Sequence, residues 1–169
     1  MITTNSKEVN TNEIMIKMVL GRWYALIKNF NTVLDLLTDE QLQKEVSPNK
    51  NRGIYLLGHL TAVHDDMLSL LNFGEKLYPS LSEPFIKSPD KAVSELPSAE
   101  ELRVCWNKVN DVLAEKFTTL KPDEWFQKHN AVSTEDFIKE RHRNKLNIII
   151  TRTTHLSYHL DSLYCSNNK

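Results

Sequence analysis

Cysteine is scarce in this 169-residue chain, and the two present, Cys105 and Cys165, are far apart. They leave no disulfide framework and no Cys-x-x-Cys zinc site. Four glycines and six prolines are few, which favours long helices over a turn-rich chain. No apolar run approaches the roughly 18 residues needed to cross a bilayer. Charge of one sign is also missing: 21 basic against 22 acidic residues leave a net charge of −1 and no global attraction to nucleic acid. There is no phosphate-cradling glycine loop and no Gly-x-Ser-x-Gly. No Glu-x-x-His occurs, which argues against a carboxylate-bridged di-iron bundle.

What remains is an ordinary globular composition, 40% hydrophobic and 25% charged. The expectation is one domain over residues 12–165, preceded by a flexible polar N-terminus, 1–11. That N-terminus lacks the apolar core and cleavage signature of a signal peptide. With free thiols, this makes a cytoplasmic protein the simplest reading.

Apolar residues recur at three- and four-residue spacings in four segments. The first runs from about Asn12 to Leu37 and the second from about Arg52 to Phe73. The third starts at Ser98, where Ser-Ala-Glu-Glu is a capping-box signature, and ends before Lys121-Pro122. The fourth begins near Ser133 or Thr134, breaks near 141–144 and continues from Lys145 to Tyr164. Between the second and third lies a long segment with Pro79, Pro84, Pro89 and Pro97, which forbid a long helix. Connections of this length are often functional, or serve as a crossover joining two parallel helices. The expected fold class is all-α, a four-helix bundle with a long connection between helices two and three.

Chemistry concentrates in Thr-His-Leu-Ser-Tyr-His-Leu. His155 and His159 are one helical turn apart, so both imidazoles leave the same helix face. A catalytic metal usually takes three protein ligands and keeps one position open. His59, in Leu-Leu-Gly-His-Leu, is the evident third, making a three-nitrogen cluster between two helices. The plainer alternative is a set of partly buried, hydrogen-bonded histidines. His64 lies about 140° round its helix from His59 and cannot face the same ion. His64, His129 and His142 are therefore expected at the surface or in a second layer. Leu156 stands where a zincin would place its glutamate base, which excludes that metalloprotease pattern. Arg152, one turn before His155, could hold a substrate carboxylate bidentately, or simply pair with Asp66. The basic run Lys139, Arg141, His142, Arg143 and Lys145 reads as a solvated face. Because imidazole ligands must be neutral, metal occupancy is expected to fall below about pH 6.5.

Leu57-Gly58-His59-Leu60, followed by Arg143-Asn144-Lys145-Leu146-Asn147 leading into His155-Leu156-Ser157-Tyr158-His159, resembles the DinB-like superfamily. This group includes the metal-dependent thiol transferases related to YfiT. The segment from Pro48 to Gly-Glu-Lys-Leu-Tyr-Pro79 looks like one branch of it. The resemblance implies a four-helix bundle, a homodimer, and one divalent nickel, zinc or iron ion on His59, His155 and His159. Family members often carry Gly-Gln shortly after the second histidine of the pair, where Asp161-Ser162 stands here. The expected activity is metal-dependent transfer of a low-molecular-weight thiol to a small-molecule electrophile, with no nucleic-acid or membrane partner. A metal-dependent hydrolase is the nearest mechanistic rival. A non-catalytic metal-binding or stress-response bundle is the alternative from another class.

Overall fold

Local capping chemistry marks where several helices of this all-α chain start. The computed structural model describes residues 10–167, with side chains as far as Tyr164. Most of the expected flexible segment 1–11 and the Cys165 side chain lie outside the described residues. Within them, Asn10 is already a cap, its side chain accepting the Asn12 N–H at the start of α1, Thr11–Leu36. A short helix not expected from periodicity, α2 (Asp39–Leu42), opens on a Thr38–Gln41 capping box. Then come α3 (Gly53–Leu70) and α4 (Ala99–Thr119), the latter opening on the expected Ser98–Glu101 capping box.

The fourth expected helix is two helices, α5 (Thr134–Lys139) and α6 (Lys145–Asn167). The break has a cause. Lys145 N donates to Gln127 O at 3.0 Å, and Lys128 and Asn144 form an isolated bridge, so this backbone is engaged elsewhere. Asn144 Oδ1 then accepts the Asn147 N–H at 3.0 Å and starts α6. No β-strand occurs among the described residues.

Side-chain contacts set the helix directions. Arg103, near the start of α4, donates to Leu34 O at 2.7 Å and Leu37 O at 2.8 Å, satisfying carbonyls at the C-terminal end of α1. Gly53, the first residue of α3, packs against Leu42 of α2 at that same end. Helices α3 and α4 therefore run in the same direction, and the segment between them must return. At the far end, Asn130 covers the last carbonyls of α3, its N–H on Leu70 O and its side chain on Ser69 O. The start of α6 joins that end through Gln127, so α6 runs antiparallel to α3. Lengthwise, α1 packs on α6 and α3 on α4.

The returning segment, 71–98, is sewn along one face of α3. Asp65 accepts the N–H groups of Leu77 and Tyr78, each at 2.8 Å. His59 lies 2.7 Å from Phe85 O, Tyr55 OH donates to Ser88 O at 2.8 Å, and Arg52 grips Asp90. As α3 is followed backwards from 65 to 52, the connection advances from 77 to 90. Its prolines are placed accordingly, Pro79 and Pro84 each starting a short turn.

Two apolar clusters fill the interior, one around Phe30, Leu57, Leu60 and Phe85, the other around Ile16, Met67, Leu113 and Trp125. His64 lies where they meet, which excludes the surface half of its expected surface or second-layer position: its exposure is 0%. Its ring sits 4.6 Å from Trp23 and 4.8 Å from Trp106, centroid to centroid. His129 is also buried, whereas His142 is exposed as expected. The basic run is only partly a solvated face, because Lys145 is buried and Arg143 pairs with Glu140.

Asn110 Nδ2 donates to Trp106 O, so its Oδ1 faces His64 Nδ1 at 2.9 Å and the proton of His64 resides on Nδ1. Burial drives the His64 pKa down to about 3. The unfolded chain therefore binds a proton below about pH 6.5 that the folded chain refuses, and stability falls from there towards pH 3. The melting temperature of the metal-free protein should drop more steeply with acidification than that of His64→Gln. In unfolding free energy the difference should approach about 1.4 kcal/mol per pH unit. Parallel curves would mean that His64 titrates normally.

Candidate metal centre

His59 faces α6 because the helical phase that buries Leu56, Leu60 and Val63 turns position 59 towards that neighbour. His155 and His159 leave α6 beside the buried Leu156 and Leu160. The three Nε2 atoms converge: His59 to His155 is 3.3 Å and His159 to His155 is 3.0 Å. All three ligand atoms lie within 4.8 Å of one another. Nitrogens bound tetrahedrally at 2.0–2.1 Å from one ion are separated by about 3.3 Å, so the donor spacing fits a transition-metal site. The structure thus brings together the three histidines expected from sequence, as a cluster that could hold a metal ion.

The protonation states fit as well. The Phe85 carbonyl can only accept, so His59 Nδ1 carries a proton and Nε2 is the nitrogen turned towards the other two rings. Burial, the neighbouring His59 and the Arg152 charge lower the His155 pKa to about 4. Burial, His155 and His59 lower that of His159 to about 4. Both rings are neutral at pH 7, the form in which imidazole binds a metal.

Gly58 makes this arrangement possible. A Cβ at position 58 would lie 2.3–2.5 Å from atoms of the Phe85 ring. Only glycine lets that ring lie against α3 and so bring its carbonyl to His59. Tyr55, one turn before His59, stacks on the imidazole with the planes 8° apart. Neither the Phe85 carbonyl nor Tyr55 was singled out from sequence. For Tyr55 the signal is its four-residue spacing from His59, on the same helix face; for Phe85 it is only the unusual length of the proline-bearing connection that carries it.

A cleft of about 340 Å³ opens beside the triad, lined by His159, Tyr158, Leu56, Ser162, Lys50 and Asp161 among others. A larger one, about 410 Å³, lies near Arg52 and Lys91, away from the histidines. Both of its cations are already paired, with Asp90 and Glu45, so the histidine cleft is the better candidate. Arg152 does not line the cleft beside His159. It is half-buried, its Nε is enclosed, and it forms no salt bridge with Asp66, which pairs with Lys76 instead.

No protein-family model matches the chain, and neither does any curated protein. Among solved structures it is similar to a conserved protein of Enterococcus faecalis, at 14% sequence identity and a TM-score of 0.60. The match covers 95% of this chain and 99% of that one. At such identity the likeness concerns the fold alone.

Two outcomes follow from the geometry. Gly58→Ala should displace Phe85, cost about 1–3 kcal/mol in chemical denaturation and weaken metal binding. Wild-type stability in that variant would mean that Phe85 moves without penalty. The depressed pKa values of His155 and His159 bear on the acid limit of the site. At His155 and His159 protons compete with the metal only as pH approaches 4, so their hold on bound metal should persist below pH 6.5. Half-loss near pH 6.5 in an equilibrium dialysis series would contradict this.

Proposed function

We propose that the chain is a DinB-like four-helix bundle in which His59, His155 and His159 hold one divalent transition-metal ion. The activity proposed with it is transfer of a low-molecular-weight thiol to a small-molecule electrophile. The single observation carrying this reading is the convergence of three imidazole nitrogens beside an open cleft. Three uncharged ligands leave a bound ion its full positive charge, which lowers the pKa of a thiol so that a nucleophile is available at neutral pH. Nickel, zinc and iron all suit such a donor set.

The chain's own residues have separable tasks. His59 is oriented by Phe85 O, and Tyr55 holds its ring from the side. Leu56 and Tyr158 give the cleft apolar surface, while Lys50, Asp161 and Ser162 offer polar contacts for a small reactant. Arg152 is supported less well as an anchor that touches substrate, because its Nε is enclosed within the fold. A cytoplasmic location and a homodimer belong to the same reading. No described helix is long and apolar enough to cross a membrane.

Elemental analysis of untagged protein should find one metal ion per chain, and His155→Ala or His159→Ala should lose most of it. Metal-loaded protein should accelerate conjugation of a small thiol to an electrophile such as an alkyl halide, and His159→Ala should abolish the rate. Metal binding without conjugation across a broad thiol panel would sink the transferase assignment. Metal-dependent cleavage of an amide or ester would then identify a hydrolase, and its absence a non-catalytic metal-binding bundle.

A further inference from the structure

The cleft beside His159 has a floor and two walls. Buried Val46 and Leu56 form the floor. One wall is the turn 46–51, in the segment that leads from α2 to α3, and the other is the stretch of α6 from Tyr158 to Ser162.

The turn is closed on itself. Val46 N donates to Asn51 O and Lys50 N to Ser47 O, each at 3.0 Å, and Glu45 and Arg52 form an isolated backbone bridge below them. Asn49 takes the left-handed conformation, φ 61°, and its N–H donates to the Glu45 carboxylate at 2.9 Å. The backbone that presents Lys50 to the cleft is therefore fixed by its own hydrogen bonds.

Of the residues lining this cleft, only Lys50 and Asp161 are charged at neutral pH, one on each wall, since His159 is neutral there. Both are exposed. Among the described residues neither forms an ion pair, with each other or with any other group. Nearby cations are treated differently: Arg52 is taken by Asp90, and Lys91 by Glu45. A lone solvated charge is ordinary, but two of opposite sign across one small cleft select what enters it. A purely anionic ligand is drawn to Lys50 and repelled by Asp161, and a purely cationic one meets the reverse. A molecule carrying both charges satisfies both walls.

We propose that the thiol this cleft takes is zwitterionic, of the amino-acid type, with its carboxylate on Lys50 and its ammonium on Asp161. Its sulfur then lies on the side of His159 and the triad. Lys50 and Asp161 are specificity-determining residues, and neither is a metal ligand. The assignment rests on the thiol-transfer reading above.

The test uses the full chain loaded with Co²⁺, whose absorption spectrum changes when a thiolate enters its coordination sphere. Cysteine, cysteamine, mercaptopropionate and mercaptoethanol are titrated in turn near neutral pH. They carry both charges, the ammonium alone, the carboxylate alone and neither. Lys50→Gln should weaken cysteine and mercaptopropionate about 3–10-fold and leave cysteamine no weaker. Asp161→Asn should weaken cysteine and cysteamine by a similar factor and leave mercaptopropionate no weaker. Mercaptoethanol should bind all three proteins alike. A general disturbance of the fold would weaken all four thiols together and could not produce this pattern. Equal losses across the four thiols, or no loss for cysteine in either variant, would overturn the proposal while the thiol reading stood. No spectral change with any thiol would defeat the thiol reading itself, and the zwitterion assignment with it.

Discussion

The hydrogen bond between His59 Nδ1 and the Phe85 carbonyl joins the long connection, the helix it covers and the chemistry of the triad. It exists because the connection runs back along α3 in steps matched to that helix's turns, from Asp65 through His59 and Tyr55 to Arg52. It needs glycine at position 58, since any side chain there would occupy the space of the Phe85 ring. Its consequence is electronic as well as steric. By holding the proton on Nδ1 it leaves Nε2 as a donor atom, the arrangement that orients most metal-binding histidines.

Burial acts on the histidines in two different ways. At His155 and His159 half-burial and mutual proximity suppress protonation, while His159 still borders an open cleft. His64 is fully enclosed between two tryptophans, and its neutrality serves packing. The Asn110 contact is what makes that burial tolerable, because a buried imidazole without a partner would bear the full desolvation cost of its polar atoms. The same residue type thus fills a core position at His64 and a cleft position at His159.

Parallel α3 and α4 impose the long connection. Two helices running in the same direction cannot be joined by a short turn, and the chain must travel the length of α3 before α4 can begin. That return path would leave exposed backbone polar groups if it merely crossed the surface. Asp65, His59 and Tyr55 satisfy several of them from α3. A topological requirement therefore supplies the carbonyl that the candidate metal centre uses.

The periodicity of apolar residues was enough to locate α1, α3, α4 and α6, and the break after α5, because burial of a helix face is written locally every three or four residues. The grouping of His59, His155 and His159 was legible for the same reason: helical phase alone puts 155 and 159 together. Phase also separated His64 from them, but could not tell the surface from the interior. That depended on Trp23 and Trp106 arriving from α1 and α4. The Phe85 carbonyl was illegible because a backbone oxygen has no residue type to mark it. The partner of Arg152 was undecided because Lys76, on the connection, reaches Asp66 first. Sequence by itself determined which residues share a helix face, a property of neighbours along the chain. The tertiary structure alone decided which faces meet and which polar atoms they enclose, because those contacts join residues separated by tens of positions.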